Sequence, residues 1–230
     1  MPAPISVVIP TLNAAAELPA AAAGLMPGLG AGLVGDLVVS DGGSTDETRG
    51  VAQALGATWV TGPAGRGGQI GRGVAAARGE WLLILHADTH LAPDWPEIAA
   101  AHMAAHPGRA GYFRLAFRAS GAAPRLVAGW ANLRSRLGLP YGDQGLLVHR
   151  DVLASAGGVP DLPLMEDVAL ARALAGRLRA LPATATTAAD RYLQEGWCRR
   201  GGGNLWRLGR YLAGADPQRL SRGYDRASRR

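Results

Sequence analysis

Three acids stand where an apolar run gives way to a turn: Asp41 in Val39-Ser40-Asp41-Gly42-Gly43-Ser44-Thr45-Asp46, Asp88 in His86-Ala87-Asp88, and Asp167 in Met165-Glu166-Asp167. An ionised carboxylate offers acceptors only, so Asp41 suits the donor edge of a base or ribose. Asp88, with His86 and His90 beside it, supplies oxygen and imidazole donors just beyond a buried strand. A hard cation such as magnesium or manganese takes one or two carboxylates and shares itself with substrate phosphates, so a metal on Asp88 can bridge to a diphosphate. Asp167 has the chemistry of a general base that removes a proton from an attacking hydroxyl.

Each acid also has a plainer reading. Asp-Gly-Gly is ordinary Asx-turn chemistry, Asp88 can cap the turn before Pro93, and Glu166-Asp167 can simply complement a helix macrodipole. Arg66, in Gly65-Arg66-Gly67-Gly68-Gln69, can meet a phosphate bidentately near a helix N-terminus or be a solvated loop residue. Ile70 stands where Gly-x-Gly-x-x-Gly requires its third glycine, which argues against a dinucleotide fingerprint. Gly142-Asp143-Gln144 reads as an acceptor-side lining or as a turn. His102 and His106 share one helix face and read as exposed helix residues rather than ligands.

The elements that must position these residues follow from periodicity. Short β-branched runs alternate with alanine- and leucine-rich segments, the pattern of parallel βα units. Strands are expected at residues 5–9, 36–40, 58–60 and 81–85, and helices at 17–26, 44–55 and 69–78, with a glycine-rich loop over 62–68. Ser44 with Glu47 has capping-box spacing for the second helix. Beyond these, 112–117 alternates like a strand, 124–137 reads as a helix, 145–149 as a strand, 167–176 as a helix, and 178–187 as irregular or strand. Thr11, Asp41 and Asp88 then fall outside strand carboxyl ends, where open α/β sheets bind ligands. Gly201-Gly202-Gly203 reads as a flexible joint before a last helix.

The chain has 230 residues and 24 cationic side chains, all arginine. Nine of those arginines lie from Trp197 onward against Asp216 and Asp225, so the tail carries roughly +7 and the rest is near neutral. Leu205, Leu208 and Leu212 align on one face of that last helix, with Trp206, Tyr211, Arg199, Arg200, Arg207 and Arg210 around it. Such a helix either lies on an anionic membrane, near a lipid-linked acceptor, or packs back on the domain. Cys198 is the only cysteine, which excludes an intrachain disulfide and a cysteine-rich zinc site. No secretory leader and no membrane-spanning run is apparent, so a cytoplasmic location is expected, with peripheral contact at the membrane's inner face through the tail as an option. No aromatic platform accompanies the main body's arginines, so nucleic acid is not an expected partner.

Taken in order, Pro10-Thr11-Leu12-Asn13, the Ser40 to Asp46 motif, Arg66 with Gln69, Arg78-Gly79-Glu80, His86-Ala87-Asp88 and Met165-Glu166-Asp167 resemble the family 2 glycosyltransferases of GT-A fold, over about residues 5 to 195. Gly-Asp-Gln and Leu-Met-Glu-Asp are similar to a small subgroup associated with arsenosugar biosynthesis. The resemblance implies a mostly parallel central sheet flanked by helices, with a transferase domain at 1–195 and a basic helical extension at 196–230. It further implies an inverting transfer from a nucleotide-diphosphate sugar, a UDP-sugar, to a hydroxyl of a small-molecule or lipid-linked acceptor, assisted by Mn2+ or Mg2+. Asp167 would be the catalytic base and Asp88 the metal ligand. The substrate-binding set would be Pro10, Thr11, Asn13, Asp41, Gly43, Arg66, Gln69, Ala87, Asp88, Gly142, Asp143, Gln144 and Glu166. The chain departs from the pattern at Gly42, where many relatives carry a second Asp, at His86, where the metal motif often begins with Asp, at Gly71, where Asn is common, and at Ala14, where an acid often follows the Asn. The departures at Gly42, His86 and Gly71 motivate an alternative, a non-catalytic nucleotide-sugar-binding scaffold of the same fold.

Overall fold

A computed structural model describes residues 3–220. In chain order the elements are β1 (Ile5–Thr11), α1 (Leu18–Ala23), α2 (Met26–Gly30), β2 (Val34–Asp41), α3 (Thr48–Ala54), β3 (Thr58–Thr61), α4 (Arg66–Ala76), β4 (Trp81–Ile84), β5 (Thr89–Leu91), α5 (Trp95–Ala105), β6 (Ala110–Phe117) and α6 (Ala122–Arg136). A 3-10 turn (Gly142–Gln144) leads into β7 (Leu146–His149), α7 (Arg150–Ser155), α8 (Glu166–Ala173), β8 (Leu178–Thr187), α9 (Asp190–Glu195) and α10 (Trp197–Leu212). The eight strands form one sheet in the order β3-β2-β1-β4-β7-β6-β8-β5.

The first half is a parallel α/β unit: β3, β2, β1 and β4 pair in parallel. Its central strands β1 and β4 are covered on both faces, which is why they read as continuous apolar runs rather than alternating ones. The period-2 pleat sends Ile5, Val7, Ile9, Leu83 and Leu85 into a core completed by Leu18, Trp95 and Ala99. Val8, Val38, Leu82 and Ile84 go to the opposite core, against Ile70, Leu153, Leu170 and Leu174. β7 runs antiparallel to both β4 and β6. It therefore turns the sheet into a second half in which β8 pairs parallel with β6 and antiparallel with β5.

Several local expectations are corrected. The first helix divides into α1 and α2. The helix after β2 begins at Thr48, not Ser44, because Ser44 Oγ is taken by Asp41 Oδ1 at 2.5 Å and also accepts from Asn13 N. Asp46 holds the helix start instead, accepting from the backbone N–H and hydroxyl of Thr48, and those bonds lower its pKa. The glycine-rich loop is shorter than expected, since α4 already starts at Arg66. Its Gly67 lies against the 160–162 segment, where a Cβ would come within 2.1 Å of Pro160 O. Gly201-Gly202-Gly203 is no joint: α10 runs through it without a break. His102 is buried, not exposed, with Nε2 3.0 Å from Arg109 O and its ring edge-on to Trp81.

The tail helices are anchored by aromatics. Tyr192 and Trp197 stack with centroids 4.7 Å apart, and Phe117 of β6 meets them edge-on at 4.9 and 5.1 Å. Leu208 of α10 packs with Met165 and Val168 at the start of α8. Of the three leucines aligned in the sequence, Leu208 is thus buried while Leu205 and Leu212 remain exposed.

Candidate active site

The carboxyl ends of β1 and β2 are tied together by polar side chains. Asp41 is 2% exposed. Its Oδ1 accepts from Thr11 Oγ1 (3.0 Å) and Ser44 Oγ, and its Oδ2 accepts from the backbone N–H groups of Gly43 (2.7 Å) and Ser44 (2.8 Å). Burial pushes its pKa up, but these four bonds outweigh that and leave it lowered. The Asx turn is therefore present, and Asp41 shapes the loop from within. Asn13, in the left-handed region at φ 53°, accepts from Thr45 N (2.9 Å). Gln69 of α4 is nearly buried and donates to Thr11 O (2.6 Å) and Ser40 O (3.2 Å), while its Oε1 accepts from Gly65 N. Pro10, Thr11, Asn13, Asp41, Gly43 and Gln69 thus form one connected strand-end layer.

Beside it opens a cleft of about 330 Å³ that gathers Arg66, His86, Asp88, Asp143 and Asp167 with Tyr141, Thr187 and Tyr192. Asp88 follows β4, with Ala87 partly buried behind it, and its Oδ1 lies 3.3 and 3.4 Å from the hydroxyls of Thr89 and Thr187. Asp167 sits in the first turn of α8. Its Oδ2 accepts from Gly142 N at 3.0 Å and its Oδ1 from its neighbour Val168 N at 2.7 Å, so two backbone donors fix the carboxylate. Met165, just before, has φ 65°. A left-handed methionine costs of order 1–3 kcal/mol and is tolerated where surrounding structure demands it. Here it sets the entry angle that puts Glu166 inward and Asp167 toward the cleft.

Glu166 is 2% exposed; its Oε1 meets Arg66 Nη1 at 3.3 Å and its Oε2 has no hydrogen-bond partner. Burial, and then the charge of Asp167, raise its pKa, against the pull of Arg66. Burial also pushes Asp143 up to about 6, opposed by Arg134. Burial, with repulsion from Arg66, lowers the pKa of His86, so this imidazole is neutral at pH 7. The His86 ring lies against the 3-10 turn, where a Cβ on Gly142 would be 2.6 Å from Nε2.

Among the predicted residues, the cleft unites Arg66, Asp88, Asp143 and Asp167, with Glu166 and Gly142 directly behind. Gln144 is not brought in. It is fully buried, with Nε2 donating to Phe113 O and Oε1 accepting from Ser135 Oγ and Tyr141 N, so it holds the turn in place. His90 does not join Asp88, because its Nε2 is 2.7 Å from Arg118 Nη1. The sequence reading missed one wall of the cleft altogether: Arg191, Arg200, Asn204 and Arg207 from α9 and α10. Positions 200, 204 and 207 are i, i+4 and i+7 on one helix face, the signal that would have found them.

Among the described residues no three His, Cys, Asp or Glu side chains converge as a metal cage. Asp88, partly exposed in the cleft, instead fits a hard cation that keeps waters and completes its shell with substrate phosphates. The family model for "Glycosyl transferase family 2" matches residues 6–129, more than half of the sequence. The chain belongs to this family. Matches to solved structures agree on the fold. TarS 1-349 from S. aureus, in complex with UDP-GlcNAc, aligns with a TM-score of 0.60 at 16% identity over 80% of this chain and 58% of that one. Glucosyl-3-phosphoglycerate synthase from Mycobacterium tuberculosis, in complex with Mn2+, UDP and glucosyl-3-phosphoglycerate, aligns with a TM-score of 0.56 at 25% identity over 80% of this chain and 70% of that one. No curated protein matches the chain. The α/β architecture expected of a family 2 glycosyltransferase is therefore present, with the parallel pairing concentrated in the first half of the sheet. No described helix is long and apolar enough to cross a membrane.

Proposed function

We propose that this family 2 protein is an inverting glycosyltransferase that moves a sugar from a UDP-sugar to an acceptor hydroxyl, with Asp167 as general base. The observation that carries the reading is the convergence of Asp88, Arg66 and Asp167 on one cleft from segments far apart in sequence. The nucleotides bound to TarS and to the mycobacterial synthase favour a uridine donor. The strand-end layer around Thr11 and Asp41 would hold the nucleoside, and Arg66 would meet the diphosphate. Asp88 would hold Mn2+ or Mg2+, which when bound supplies positive charge to the departing diphosphate. Asp167, clamped by Gly142 N–H, takes the acceptor proton as the new bond forms, and Glu166 keeps Arg66 in place. Residues 1–195 would form the transferase domain and 196–230 its basic extension, in a cytoplasmic protein with one free thiol. Within the family, membership of the arsenosugar-associated subgroup rests on Gly-Asp-Gln and Leu-Met-Glu-Asp.

The test is thermal-shift binding of UDP, GDP, CDP and dTDP, each with manganese and with EDTA, on wild type and Asp88→Ala. A manganese-dependent shift for UDP that disappears in the variant is the expected result. Asp167→Asn should then keep the UDP shift and lose transfer. Absence of any nucleotide shift would overturn the donor site. Donor binding with no turnover on a broad acceptor panel, indifferent to Asp167→Asn, would replace this reading by the non-catalytic scaffold.

A further inference from the structure

The solvent face of α6 carries apolar side chains where a soluble helix carries charge. Leu126, Trp130 and Leu133 lie at i, i+4 and i+7, followed by Leu137 just past the helix end. They are 73, 52, 49 and 77% exposed. The exposed charged residues of α6 itself are Arg125 and Arg136, and α6 contains no carboxylate. α10 packs on α6 and repeats the pattern. While Arg200, Asn204 and Arg207 line the cleft, the outer side of α10 shows Leu205, Trp206 and Leu212, with Arg199 and Arg210 and again no carboxylate. The Arg210 guanidinium lies 4.9 Å from the Trp206 ring centre.

We propose that α6 and α10 together form a docking face for an anionic lipid bilayer. Two observations select that occupant. Exposed leucines interleaved with two tryptophans match the boundary between acyl chains and headgroups, where the amphipathic indole ring is favoured. The charge on both helices is exclusively positive, which complements a surface of anionic phospholipid and suits no basic partner. The sequence adds Arg222, Arg226, Arg229 and Arg230 against Asp225 after the described residues. This surface lies outside the cleft, so the inference does not depend on the proposed reaction. It also differs from the expectation drawn from the sequence, in which Leu208 belonged to the membrane face. Leu208 is buried, and the larger share of exposed apolar side chain comes from α6.

The experiment is co-sedimentation of the full-length protein with vesicles of phosphatidylcholine alone and of phosphatidylcholine mixed with phosphatidylglycerol. Binding to the anionic vesicles, weakened by salt, with little binding to the neutral ones, is expected. Removing both Arg125 and Arg136 as alanines should weaken binding roughly 25-fold, about fivefold for each charge. Trp130→Ser with Trp206→Ser should weaken it about tenfold or more, through lost apolar contact. Arg49→Glu on α3 lowers the net charge by the same amount as the two arginine deletions, far from this face, and should leave binding nearly unchanged. No binding to anionic vesicles would overturn the proposal, as would an equal loss in Arg49→Glu. A stable dimer in solution that the tryptophan substitutions dissociate, without vesicle binding, would assign the face to a second copy of the chain instead.

Discussion

Replacing Gly42 tests whether Gln69 has taken the space of a missing acid. A Cβ on residue 42 would lie 2.9 Å from Gln69 Cδ, closer than real Cβ contacts come, and 3.0 Å from both terminal atoms, so the amide must shift to admit it. Residue 42 does not have positive φ, so its backbone accepts a side chain without strain and the cost must come from Gln69. Moving that amide breaks its bonds to Thr11 O, Ser40 O and from Gly65 N. At about 0.5–1.5 kcal/mol for each hydrogen bond, Gly42→Ala should destabilise the fold by about 2–4 kcal/mol. That is a large part of the roughly 5–15 kcal/mol that typically separates a folded domain from its unfolded chain. Gln69→Ala breaks the same three bonds, so it should cost a similar amount. The double variant should cost little more than Gln69→Ala alone, because the new Cβ then meets the space the amide has left.

Urea unfolding of the four proteins, followed by tryptophan fluorescence, gives a coupling energy of about 2 kcal/mol or more if this reasoning holds. Additive costs, or a Gly42→Ala variant within about 0.5 kcal/mol of wild type, would refute it. The same cycle read by UDP binding separates shape from stability, since two of the three bonds tie α4 to the ends of β1 and β2 beside Asp41.

Two further outcomes follow from other residues. Asp143 has a folded pKa of about 6 against an ordinary 3.8, so its protonated form is favoured by folding; the penalty is absent below about pH 4, grows as pH rises to about 6, and is constant above. Asp143→Asn should therefore gain stability relative to wild type across that window, up to about 3 kcal/mol, in urea unfolding at several pH values; a pH-independent difference would refute the assignment. Gly71 is inside α4, and a Cβ added there would meet nothing within 4 Å, so Gly71→Ala should stabilise by about 0.5–1 kcal/mol and raise Tm by a few degrees. A lowered Tm would mean that α4 needs glycine there.

The parallel half of the sheet was legible because its central strands β1 and β4 are buried on both faces and the turns after them carry their own polar signal. Asp88 and Asp167, which the structure gathers in one cleft, stood out in the sequence because each breaks an apolar run. What could not be read was competition for a side chain. Ser44 has the spacing of a helix cap, yet Asp41 and Asn13 claim its hydroxyl, and the helix starts four residues later. Gln144 stands next to Asp143 in sequence and looks equally available, but its amide is consumed by Phe113 O, Ser135 Oγ and Tyr141 N. Such partners are set by the tertiary fold, which local periodicity does not encode.

The three glycines of α10 show where local propensity loses outright. Each costs a helix about 1 kcal/mol relative to alanine, so Gly201-Gly202-Gly203 argues for a break when read alone. The helix persists because it is held on both sides of them: by the stack of Trp197 on Tyr192 and the Arg200–Glu195 ion pair before, and by Leu208 in the α8 cluster after. That docking turns Arg200 and Arg207 toward the cleft and leaves Trp206 and Arg210 on the outside. One basic amphipathic sequence thus serves two surfaces, and its packing through Trp197, Arg200 and Leu208 decides which side chains belong to which. Leu208→Ala should consequently loosen both at once, lowering Tm and weakening acidic-vesicle binding together, whereas Trp206→Ser should affect the vesicles alone.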